Sequence, residues 1–466
     1  MAEFDIIAAA TSARSRAASA QRLLNLYMEK QDQGVVLYGT PGLRLWATVG
    51  TGPIRGMKKA NNGFAYVVSG TQAFKVAPDG TATLLGTVAG TGPVALAENG
   101  VQMFVAAGKP SYIITLATGA IAEITDEDFP GAAMVGFLDG FFLFNEPGTG
   151  RFWATSAYDG SMIDPLDFAT AEGAPDPLMS LLIDHREIWL FGTDSTEVWY
   201  NGGNPDFPFE RVNGAFIEHG CAATFSVAKA DNTVFWLGQD ENGRGVVWRA
   251  EGYTPQRVST HEIENKLSRY SVVSDAVAWV YQQDGHLFYV LNFPTENATW
   301  AYDIATGTWA ERGYRNPEDG LIERHRGQNH IAFASMNLVG DHTSGKIYEL
   351  DPDCYEDDGQ PIVREVVAPH SRTGKRAFYA EAEIRMESGV GLTEGQGSEP
   401  QIMLQMSDDA GRTWGSEHWR PMGKIGEYQT RAVWRRLGSA FNRTFRIRIT
   451  DPVPVCLVNA RVEFTQ

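Results

Sequence analysis

The strongest constraint in this sequence is a rhythm. From Val35 onward, short runs of β-branched and aromatic residues are cut by turns of Gly, Asp, Asn and Pro, the pattern of short antiparallel strands. Phe64–Val68 is followed by Ser69-Gly70 and Gln72–Val76, then by Pro78-Asp79-Gly80 and Thr81–Leu85. The same order returns in Val101–Ile124, Phe137–Thr155, Leu181–Tyr200, Thr233–Arg249 (with a turn through Asn242-Gly243) and Trp279–Trp309. Six such units begin at intervals of roughly 40 to 50 residues, the repeat length of β-propeller blades of about four strands each. A lone blade would leave apolar side chains on both faces in water, whereas stacking blades around an axis buries them. The expectation is an all-β chain built on a β-propeller of about six to seven blades, the last depending on whether Ile331–Leu350 completes one. A β-helix or a string of sandwiches is the competing arrangement.

The two ends read differently. Residues 1–34 are expected to form an N-terminal arm, a short helix or an extended segment, because Leu23, Leu24, Leu26 and Tyr27 need a surface to pack on, either the chain's own body or a neighbouring subunit. Arg22, Leu24 and Tyr27 are its candidate contacts. Residues 35–370 would be the propeller. Beyond Pro369 comes a basic turn, Arg372–Lys375, after which Ala380, Ala382, Ile384 and Met386 alternate with Glu381, Glu383, Arg385 and Glu387 in a period of two. Further strand-like runs at 402–406, 432–436, 444–450 and 455–464 make residues 371–466 a separate β-sandwich.

With 466 residues, 43% of them hydrophobic, the chain can bury a large core without staples. Cys221, Cys354 and Cys456 are too few and too scattered for a disulfide framework and read as reduced thiols. The apolar run Ile6–Ala10 follows Glu3 and Asp5 and precedes Arg14 and Arg16, which is not the order of a secretion signal, and no run has the length of a bilayer span. These features predict assembly in the cytoplasm and no membrane insertion. The net charge of −18 argues against a general nucleic-acid binder, though not against a surface past which DNA slides. Between Arg420 and Arg448, however, eight basic residues stand against one acid, Glu427, a local charge of +7. That segment predicts a basic face for an acidic partner, with Arg431, Arg435 and Arg436 as candidate interface charges.

The sharpest local motif is Ser407-Asp408-Asp409-Ala410-Gly411-Arg412-Thr413-Trp414, an S-x-D-x-G-x-T-W Asp-box. In such a hairpin the Asp carboxylate (Asp409) accepts backbone N–H groups, the Gly (Gly411) takes a conformation closed to other residues and the Trp (Trp414) packs beneath, with Ser407 and Thr413 completing the box. Sialidases carry several such boxes, so the alternative function is a carbohydrate-binding or glycan-cleaving propeller. One box outside the repeats is read as a folding element. Neither HExxH, a Cys/His metal spacing, GxSxG nor GxxxxGK[ST] occurs. The acidic run Asp351–Gly359 places Tyr355 where a calcium ligand is needed and reads as a solvated turn. The expectation is therefore a non-enzyme, with no catalytic residue, metal or cofactor.

Two stretches carry a resemblance. Ala20–Tyr27, Leu37–Leu43 and Gly52–Met57 at one end, and Ser407–Trp414, Gly423–Tyr428 and Trp434–Gly438 at the other, resemble the packaged-DNA stabilisation proteins of short-tailed phages, also called tail accessory factors or tail hubs. The resemblance brackets nearly the whole chain. It implies a structural component of the virion tail that attaches below the portal or a head-to-tail adaptor after packaging. Such a protein helps to seal the channel over packaged double-stranded DNA, carries distal tail proteins and forms a ring with itself, usually a hexamer.

Overall fold

A computed structural model describes residues 2–4, 10–31, 34–171, 173–239, 245–369 and 371–465, with side chains placed outside 2–4 and 371–374. The Asn242-Gly243 turn and most of the run from Asp5 to Ala10 lie outside the described residues. Among the described residues the chain is all-β apart from one short helix, His261–Leu267, capped by Thr260 and anchored by Ile263 and Leu267.

Among the described residues, seven four-stranded antiparallel units surround one axis: 54–87, 95–123, 135–170, 178–217, 228–257, 277–315 and 327–351. Six are separate sheets. The remaining unit, 277–315, continues edge-on into the sheet that contains the C-terminal strands. The hydrophobic core is divided accordingly, with each part shared by two successive units. Tyr66 and Val68 meet Met103 and Val105; Phe104 meets Phe142 and Phe144; Trp189 and Phe191 meet Trp236; Phe235 meets Tyr289 and Trp300. Val67 and Phe74 of the first unit pack on Ile331 and Leu338 of the last, which closes the ring. Because every sheet is covered on both faces, its central strands are buried throughout rather than alternately, as in Ala65–Ser69. That burial explains the unbroken apolar runs.

The last unit takes its outer strand from the other end of the chain. Gly42–Thr48 pairs antiparallel with Lys346–Asp351, Leu43 opposite Leu350. Gly42 sits where a Cβ would come within 2.5 Å of the Glu356 carbonyl oxygen, so no larger residue fits this closure.

The sandwich also borrows from the N-terminus. Arg22–Leu24 lies between Thr308–Arg315 of a blade and Arg364–Val367, which in turn pairs with Ser439–Ile449. The hairpin Leu26–Gln31 and Gly34–Gly39 joins Cys456–Thr465. Leu23, Leu26, Met28 and Leu37 enter one core with Tyr379, Ile384, Leu404, Trp434 and Ile447. The segments 35–39 and 364–367, assigned to the propeller from sequence, are therefore strands of the C-terminal sheets; their partners lie far along the chain, where local pattern does not reach.

Candidate functional site

The expected arm contacts are internal. Leu24 is fully buried, and Tyr27 packs edge-on against His286 and Phe288 with ring centroids 5.1 and 5.6 Å away. Arg22 grips the blade through Glu311, with Nε to Oε2 at 2.7 Å and Nη2 to Oε1 at 2.9 Å, and the sandwich through Glu365 at 3.1 Å. Glu365 is 2% exposed and also accepts from Arg448 Nη2 at 2.6 Å, with Arg446 at 4.0 Å. Burial opposes its ionisation, yet the surrounding arginines hold its carboxyl below the ordinary range. These residues clamp the blade to the sandwich.

Asn25, between Leu24 and Leu26, was not singled out in the sequence, yet it centres the same junction. It is buried at a φ of +52°, which Asn tolerates better than most residues. Its Nδ2 donates to Gly313 O at 2.8 Å and Val363 O at 2.9 Å, while Oδ1 accepts from the Gly313 amide at 2.9 Å. A second buried pair lies beside it. Arg364 is 1% exposed, makes no hydrogen bond through its guanidinium among the described residues, and stands 5.7 Å over the Tyr355 ring. Gly39 makes room for it, since a Cβ there would lie 2.6 Å from Arg364 Nε. Burial pushes the Asp357 carboxyl up to about 7 against the pull of Arg364.

The basic segment Arg420–Arg448 is largely neutralised by acids that a linear count does not see. Arg431 pairs with Glu383 at 3.3 Å, Arg435 with Glu381 at 2.7 Å and Lys424 with Glu399 at 2.6 Å. Arg443 is buried against Asp408 at 2.7 Å, and Arg448 faces Glu365. The uninterrupted basic face expected from sequence is replaced by cross-strand ion pairs, because Glu381 lies opposite Arg435, and Glu383, opposite Val433, reaches Arg431 two residues away. Arg431, Arg435 and Arg436 remain exposed at their tips. Apolar exposure accompanies them on the sandwich: Phe378 and Phe441 point outward on the neighbouring strands Ser371–Met386 and Ser439–Ile449, and Tyr428 projects from a loop.

The Asp-box is closed on itself. Asp409 Oδ1 accepts from Ser407 Oγ at 2.7 Å and from the Arg412 and Thr413 amides at 2.9 Å; Oδ2 accepts from Thr413 Oγ1 at 2.6 Å. The Thr413 and Ser407 bonds hold this carboxyl far below its usual range. Gly411 takes a φ of +74°, and the Arg446 guanidinium lies 4.3 Å over Trp414. Arg16 donates to the Gly411 carbonyl at 3.0 Å, so the N-terminal segment rests on the box. A carboxylate so fully engaged is placed to shape a hairpin rather than to act on a sugar.

Along the propeller axis runs a cavity of about 710 Å3, walled by the inner strands of six units and by Phe225 and Val227 just ahead of the fifth unit's strand, with Lys58, Lys59 and Glu98 among its polar residues. Among the described residues, no group of three or more His, Cys, Asp or Glu is placed to hold a metal ion. The acids near 351–358 instead pair internally, Asp351 with Arg44 and Asp358 with Lys346.

Two family models match the chain in order: bacteriophage P22 Gp10, β-propeller, over residues 17–355, and bacteriophage P22 Gp10, β-sandwich, over residues 364–465. No curated protein matches it. Similar solved structures include the N-terminal domain of Nup159, at 9% identity and a TM-score of 0.45 over 73% of this chain and 99% of that one. The extracellular domain of a one-component system from B. thetaiotaomicron aligns at 9% identity and 0.45 over 81% of this chain and 47% of its own. YCF48 bound to D1 peptide aligns at 10% and 0.42 over 70% and 98%. Likeness at this level carries no argument about function.

Proposed function

The chain belongs to the bacteriophage P22 Gp10 family, the DNA-stabilisation and tail-hub proteins of short-tailed phages, and from that premise we propose that it is a hub of the virion tail. In this reading it attaches below the portal or its adaptor, helps to seal the channel, retains packaged DNA and carries distal tail proteins, as a ring of copies of itself.

The observation that carries the reading is the paired match of propeller and sandwich over nearly the whole chain. The junction supports it. A part that transmits load between head and tail benefits from domains that do not swing, and here one sheet, the Arg22–Glu311–Glu365 clamp and Asn25 tie sandwich to blade. The outward face bearing Arg431, Arg435, Arg436, Phe378 and Phe441 has the mixture of arginine and aromatic residues that interfaces favour, and it is the proposed contact with a neighbouring copy or with distal parts. The test is electron microscopy of the purified chain with portal rings, together with DNA retention in particles lacking the protein. Rings that bind the chain, and particles that leak DNA without it, are expected; unbound rings and full retention would sink the proposal.

A further inference from the structure

Where the inner strands begin, the axial cavity adjoins a second one of about 460 Å3, whose wall includes Arg55, Thr224, Asp275, Arg324, Gln328 and His342. Two of these are guanidinium groups withdrawn from water, Arg55 at 4% exposure and Arg324 at 9%. Among the described residues neither forms an ion pair. Arg55 directs its N–H groups to backbone carbonyls, those of Gly92, Gly70, Val88 and Ala89 at 2.6 to 3.2 Å. Arg324 donates from Nη1 to Gln328 Oε1 at 3.2 Å.

The nearby acids form no ion pair with Arg324 among the described residues. Asp275 accepts from the Thr295 amide at 2.7 Å through Oδ2, while its buried Oδ1 has no hydrogen-bond partner among the described residues and its charge supports that of Arg324; Asp341 is held by Arg326 at 2.6 Å and by Ser344. Burial, with Arg324 adding to it, keeps the His342 imidazole down at about 4, so it is neutral at physiological pH. Burial also lowers Arg324, to about 10, which leaves it charged. Two cations against one carboxylate thus wall a cavity in a chain whose net charge is −18. Arg55 is satisfied by its four carbonyls, but Arg324 is held out of water with a single side-chain hydrogen bond, which is costly, and a bound counter-ion relieves that cost.

We propose that this cavity binds a small phosphate-bearing anion, with the guanidinium of Arg324 as its principal contact and Arg55 as a fixed positive field behind it. The planar fork of arginine matches two oxygens of a phosphate, and the Gln328 amide and Thr224 hydroxyl line the same space. Small-molecule sites begin at about 300 Å3, so the volume admits a nucleoside monophosphate as well as free phosphate. The site is independent of the tail role proposed above.

Calorimetric titration of the full chain with inorganic phosphate and, separately, with adenosine monophosphate tests it. Saturable binding of at least one is expected with a Kd below about 1 mM. Equal affinities would identify the phosphate group as the whole ligand, and tighter nucleotide binding would add the nucleoside. Arg324→Gln should weaken binding by about tenfold or more. Gln328→Glu, which sets a carboxylate against the guanidinium, should do the same and serves if the first variant fails to fold by circular dichroism. Absence of saturable binding of either anion to the wild type, or binding unchanged in a folded variant, overturns the proposal.

Discussion

The propeller and the sandwich are both antiparallel β-structure, but they are assembled by opposite rules. In the propeller each unit is made of consecutive strands and shares its core with the units before and after it; among the described residues only the closing strand Gly42–Thr48 comes from afar. In the sandwich the core is single and draws on both ends of the chain, residues 23–37 and 366–462. The first arrangement divides a large body into repeated local decisions. The second makes the C-terminal unit conditional on residues made first. Domain limits drawn along the sequence therefore understate how much the N-terminus belongs to the sandwich.

The largest effect should come from removing what the sandwich borrows. A chain beginning at residue 40 keeps the closing strand but loses Leu23, Leu26, Met28 and Leu37 from the sandwich core. Limited proteolysis should then degrade the region beyond residue 364 while a fragment spanning the blades persists. Equal resistance of both regions would break the contrast between them. The single change Leu23→Ala should already cost about 2–5 kcal/mol, read from the sandwich transition in urea.

Next comes Asn25→Ala, which strips three buried backbone groups of their partner at a position of positive φ. A loss of roughly 3 kcal/mol is expected by chemical denaturation, and hydrogen exchange should rise at Gly313 more than in blades remote from the junction.

Asp357 sharpens the comparison through pH. Its folded pKa, about 7, lies above that of an unfolded aspartate, so the protonated form is the one the fold favours. Its contribution is complete below the unfolded value, near pH 4, and is lost as pH rises through 7. Asp357→Asn should flatten the fall in denaturation midpoint between about pH 4 and pH 7. An identical slope in the variant would refute the assignment.

The smallest effect on folding belongs to the surface. Arg435→Glu with Arg436→Glu removes one exposed ion pair, to Glu381, and should change monomer stability by less than about 1 kcal/mol. Tail incorporation should fall sharply if that face is the contact proposed, and unchanged incorporation would count against it.

What could be read in advance follows the same division. The blades were legible because Phe64–Leu85 or Trp279–Trp309 carries strand, turn and strand within one stretch, so local pattern and final pairing coincide. The Asp-box was legible for the same reason: its hydrogen bonds span at most four residues. The closing strand was not, because nothing in Gly42–Thr48 names Lys346–Asp351 as its partner. The basic face was misread because charge was summed along the chain, whereas Arg435 meets Glu381 across strands. Asn25 left one signal, a polar, αL-tolerant residue inside the apolar run Leu23–Tyr27, which marks a turn or a buried polar anchor.

The strand that closes the ring also sets a clock. Gly42–Thr48 leaves the ribosome early, but Lys346–Asp351 follows about 300 residues later, roughly 15 to 60 s at translation rates of 5–20 residues per second. Throughout that interval the nascent chain carries an unpaired β-edge and an open arc of blades, each able to pair with the wrong neighbour. The sandwich strands that pair with Arg22–Leu24 and with the hairpin Leu26–Gly39 come later still, so strands made early are among the late ones to find their partners.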